Sequence, residues 1–117
     1  MTGTKKINVR GAEVIITVSN YICTLDVTIT VDVSPLDAQE PDHSPHQLLN
    51  YLYSYLPRYK TGQYYWWCKT FYKVTCKSGS QAQRIIKSQL AKIDDAVAQA
   101  IIDRDARKAH LAIALSD

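Results

Sequence analysis

The chain has 117 residues, 46% of them apolar and 21% charged, with a formal net charge of +3. That suffices for one domain with a real core, and it argues against a disordered tail or two ordinary domains. No uncharged apolar-rich stretch, Tyr64 to Cys68 included, approaches the roughly 20 residues a membrane-spanning helix needs.

No apolar block of signal-peptide length follows the N-terminus, and Cys23, Cys68 and Cys76 form no C-x-x-C pair. Both features lead to the expectation of a reduced, cytoplasmic chain without a membrane contact. The charge is unevenly spread. Residues 11–42 carry six acids and no Lys or Arg, whereas residues 43–93 carry eight Lys and Arg and no acid. Polarity of that kind bears on partners rather than on fold.

In chain order, Lys5 to Val9 reads as a short strand ahead of a turn near Gly11. Val14, Ile16 and Val18 then alternate with Ile15, Thr17 and Ser19, and Leu25 to Val33 alternates apolar and polar residues without a break. Both are strands with one buried face. A two-residue turn at Ser19-Asn20 would set Val18 against Tyr21, Ile16 against Cys23 and Val14 against Leu25, with the inward residues sharing one face. Prolines and acids mark a loop from about Ser34 to Asp42. Ser44-Pro45-His46-Gln47 then joins a capping serine to a proline at the first helical position and a glutamine at the third. A helix is expected from there to Leu56, stopped by Pro57 and buried through Leu48, Leu49, Leu52, Tyr55 and Leu56.

Gln63 to Lys77, free of proline and glycine, reads as a long strand. Ser80-Gln81-Ala82-Gln83 offers a second capping box. Ile86, Leu90, Ile93, Val97 and Ile101 follow at helical spacing. Asp103-Arg104-Asp105 interrupts the stripe, and Ala106, Ala109 and Ile113 resume it after a small phase change. One bent helix to about Leu115 or two consecutive helices both satisfy this pattern. The whole predicts a single α+β domain over residues 1–117, in the order β-β-(β)-α-β-α. A small antiparallel sheet of three to four strands carries two main helices packed on one face.

The Gln63 to Lys77 strand divides by parity. Its even positions, Tyr64 through Cys76, are uncharged and belong against the core. Its odd positions include Tyr65, Trp67, Lys69, Phe71 and Lys73, rings interleaved with ammonium groups. Rings that stack on bases beside cations that meet phosphate are what single-stranded nucleic acid requires. Arg58 and Lys60 before the strand, and Arg84 and Lys87 after it, would extend the positive surface. The plainer account is that aromatic residues are ordinary in strands, and that Lys69 and Lys73 sit opposite Asp26 and Asp32.

Tyr51, Tyr53, Tyr55 and Tyr59 form the second candidate surface, for a protein partner, because tyrosine combines contact area with a hydroxyl. Asp42, His43 and His46 straddle a helix cap and read as solvated loop rather than metal ligands. The three cysteines fall on inward faces, Asp94-Asp95 and Asp103/Asp105 read as wet helical surface, and His110 as a cation late in a helix. No catalytic site, metal or cofactor is expected. The reading is a non-enzymatic binding module for nucleic acid or a nucleoprotein. The alternatives are a protein-binding inhibitory accessory protein, such as a phage or plasmid directs at a host complex, and a structural protein that forms a homodimer through its C-terminal helix.

Overall fold

The computed structural model describes residues 2–41, 44–56 and 69–116, with residues 69–71 described by their backbone alone. The order is β1 (Thr2–Val9), β2 (Ala12–Asn20), β3 (Leu25–Asp32), a 3-10 turn (Ser34–Asp37), α1 (Leu49–Leu52), β4 (Lys69–Cys76) and α2 (Gly79–Leu115). The four strands pair antiparallel in sequence order, and both helices lie on one face, as the α+β pattern predicts. Of the long strand expected from Gln63, the part before Lys69 lies outside the described residues.

The first hairpin turns on Arg10 and Gly11, with φ of 51° and 90°. Positive φ at both central positions matches the twist of the flanking strands. Gly11 meets that conformation without strain, and a Cβ there would stand 2.6 Å from Leu36 Cδ2, so the Leu36 side chain would have to shift.

The second hairpin differs from expectation. Its loop is Tyr21 to Thr24, closed by the Tyr21 N–H donating to the Thr24 carbonyl at 2.8 Å. Val18 pairs with Val27, Ile16 with Ile29 and Val14 with Val31. Each partner therefore sits six residues beyond the one predicted from a Ser19-Asn20 turn. An even shift leaves every side chain on its predicted face, because the strand period is two. Tyr21 and Cys23 are the exceptions. Both lie in the loop and are exposed, not on the core face.

Val14, Val27, Ile29, Val33, Leu48, Leu52 and Val97 are the largest side chains wholly removed from solvent. Each such burial contributes roughly 1.5–3 kcal/mol. Tyr72, Val74 and Cys76 of β4 join this face, as its even positions should.

α1 is much shorter than the predicted helix. Ser44 Oγ accepts from the His46 N–H, and the Gln47 side chain donates to the Pro41 carbonyl, so no capping box forms. Instead the buried Asp37 carboxylate accepts the Leu48 N–H at 2.9 and 3.0 Å, serving the start of α1 from eleven residues upstream. α2 starts earlier than expected. Its cap is Ser78, whose hydroxyl accepts the Gln81 N–H at 3.2 Å, while Gln81 Oε1 accepts the Lys77 N–H.

α2 is one helix of 37 residues, roughly 55 Å long at 1.5 Å per residue. An eight-residue strand spans only about 27 Å. The helix therefore outruns its sheet. It is buried through Ala82, Gln89, Ile93, Ala96, Val97 and Ala100, and beyond Ala100 it carries no buried residue.

Candidate interaction surfaces

The odd positions of β4 fall on the sheet face that α1 and α2 leave open. Across that face Lys69 holds the position opposite Asp32, Phe71 opposite Thr30, Lys73 opposite Thr28 and Thr75 opposite Asp26. Asp26 is occupied by the Thr75 hydroxyl at 2.8 Å, and Asp32 by the N–H and hydroxyl of Ser34 at 3.0 and 2.6 Å. Lys73 is exposed and has no ion pair among the described residues. Thr28, Thr30 and Ile15 make the rest of the middle rows, and Lys6 on β1 pairs with Glu13 at 3.8 Å. The face is mixed in charge rather than cationic.

Arg84 and Lys87 are exposed on α2. Since α2 covers the other side of the sheet, they stand a full layer away from Lys73 and do not join it. Tyr65, Trp67, Arg58 and Lys60 lie outside the described residues, as do Tyr59, Asp42, His43 and Cys68.

The tyrosine run is divided. Tyr51 and Tyr53 pack half-buried against the core, whereas Tyr55 is exposed and donates its hydroxyl to Asp103 on α2. That hydrogen bond, with some burial and the carboxylate's charge, holds the Tyr55 hydroxyl above its ordinary pKa. Tyr55 thus ties the turn after α1 to α2. On β4, burial likewise raises Tyr72, whose hydroxyl meets Gln89 Nε2 at 3.4 Å.

Past Ala100 the two sides of α2 differ. One side rests on the loops. Arg104 reaches Asp37 at 3.4 Å and the Leu36 carbonyl at 3.2 Å, Lys108 pairs with Glu40, and Leu111 borders a cleft with Pro45, His46 and Tyr51. The opposite side bears Ile102, Ala106, Ala109 and Ile113, all exposed, Ile102 at 59% and Ile113 at 70%. The resumed stripe expected at Ala106, Ala109 and Ile113 therefore does not face the core. Its natural partner is Ile102, not Ile101, and the 4-3-4 spacing of these four positions was the signal for a second seam.

Other clusters stay apart. Among the described residues no three His, Cys, Asp or Glu side chains are grouped to hold a metal ion. Cys76 is buried as a small apolar side chain. No described helix is long and apolar enough to cross a membrane. Compared with known proteins, the chain matches no family model, no curated protein and no solved structure.

Proposed function

We propose that this chain is a non-enzymatic binding protein that pairs with a second copy of itself through the outer stripe of α2. One observation carries the reading: Ile102 and Ile113 stand exposed at either end of a stripe whose middle is alanine. Positions 102, 106, 109 and 113 have the spacing of a two-helix seam, and alanine at its centre lets two backbones approach closely.

An antiparallel arrangement fits the stripe. Asp103 and Asp105 precede the middle of the stripe, and Arg107 and His110 follow it. Reversing a second helix about the midpoint of Ala106 and Ala109 sets Ile102 against the other copy's Ile113, and Asp103 across from its His110.

Sedimentation velocity over a hundredfold concentration range tests the proposal. The wild type should shift from monomer to dimer, and Ile102→Glu with Ile113→Glu should stay monomeric with its thermal melt unchanged. A concentration-independent wild-type monomer would remove the reading.

A second reading keeps nucleic acid as the partner. It is supported by the position of Phe71 and Lys73 on the sheet face that no described helix covers. A labelled single-stranded oligonucleotide should then bind more weakly as salt rises, and Lys73→Glu should weaken it further. The carboxylates of Asp26 and Asp32 on the same face make it mixed in charge, which is why this reading stands second.

A further inference from the structure

A groove of about 660 Å³ lies between the first hairpin and the opening turns of α2. We propose that it binds a free fatty acid as its carboxylate. Its walls are apolar, with Ile7, Ile16, Val18 and Leu25 on the sheet facing Ile86 and Leu90 on the helix. One turn beyond Leu90, Arg10 meets Asp94 at 2.8 Å and ties the helix to the β1–β2 turn. Gly3 and Gly79 also line the groove, and a Cβ on either would meet no atom within 4 Å. The volume falls within the range of about 300–1,000 Å³ usual for small-molecule sites lined by apolar groups with a few placed polar ones.

The charged residues choose the ligand. Lys5 and Lys87 stand on opposite walls, no carboxylate lines the groove, and neither lysine has an ion pair among the described residues. Lys5 pairs with Ile16 and so occupies an inward register position, where a sheet simply covered by its helix would carry an apolar residue. An alkyl chain fills the apolar length while its anionic head meets the two ammonium groups. A free acid suits the site better than a bilayer lipid, because Gln83 edges the groove with a polar group that a membrane surface would have to dehydrate.

The test titrates the whole chain with saturated carboxylates from eight to sixteen carbons, below their micelle concentrations. Saturable one-to-one binding should strengthen about two- to fourfold per methylene until the groove is full. Gly3→Leu projects into open space and should weaken binding tenfold or more with the melt unchanged. Lys5→Glu with Lys87→Glu should weaken the carboxylate by a similar factor but leave the alcohol of equal length unaffected. Absence of saturable binding would overturn the proposal, as would undiminished binding by Gly3→Leu or binding to phospholipid vesicles alone. The groove lies at the other end of α2 from Ile102 and Ile113, so Ile102→Glu with Ile113→Glu should bind the acid as the wild type does. The two proposals thus fail separately.

Discussion

Asp37 accepts the Leu48 N–H through both carboxylate oxygens and meets Arg104 at 3.4 Å, so one side chain joins the 3-10 turn, the start of α1 and the middle of α2. Asp37→Ala would strand a backbone donor and leave a largely buried guanidinium short of its counterion. A loss of about 2–4 kcal/mol is expected, since Arg104 keeps the Leu36 carbonyl and Asp105. Urea denaturation measures it. Burial pushes the Asp37 carboxyl above its ordinary pKa of 3.8, against the Leu48 N–H and Arg104, which favour the charged form. The folded state therefore holds this proton more tightly than the unfolded chain does. Its contribution to stability is fully present below 3.8 and is lost as pH rises through the raised folded value. Relative to Asp37→Asn, the wild type should gain stability as pH falls through that window; a relative loss would contradict the assignment. Gly11→Ala acts at the same scale. It would force a left-handed φ of 90° on a residue whose Cβ meets Leu36, costing about 1–2 kcal/mol and lowering the melting temperature by several degrees.

At the scale of elements, local chemistry decided more than it decided at the residue scale. Strand alternation from Val14 to Ser19 and from Leu25 to Val33 places those residues on the faces they occupy, even though the hairpin loop takes Tyr21 and Cys23 out of the sheet, away from where the Ser19-Asn20 turn chemistry put them. The helix from Ile86 to Ile101 follows its periodicity. α1 does not, because its start is served by a distant carboxylate rather than by Ser44, and no local pattern announces such a partner. α2 has a local cap, and Ser78→Ala should cost about 1 kcal/mol in chemical denaturation. Ser80→Ala, at the position where the sequence pattern had put the cap, should cost appreciably less. Of the two candidate surfaces read from sequence, parity placed Lys73 and Thr75 away from the core, while in the tyrosine run Tyr51 and Tyr53 pack half-buried against the core and Tyr55 bonds Asp103.

For the whole molecule the decisive quantity is length. A helix roughly 55 Å long laid on strands about 27 Å long cannot be covered throughout. Removing residues 109–117 should therefore lower the melting temperature by no more than a few degrees, because every described residue in that segment is exposed. The same truncation should abolish self-association by taking half of the stripe. Thermal melts and sedimentation of the truncated chain read both outcomes.

By itself the amino-acid order determined the α+β class, the inward and outward sets along β2, β3 and the end of β4, and the existence of the long helix. Those follow from periods of two and 3.6 residues, which belong to the backbone and need no neighbours. Only the tertiary structure decided which sheet face no described helix covers, that Arg84 and Lys87 stand across the sheet from Lys73, and which stripe of α2 has no partner among the described residues. These depend on where one element ends relative to another, and contacts across more than sixty residues, such as Arg104 with Asp37, leave no periodic trace in the chain.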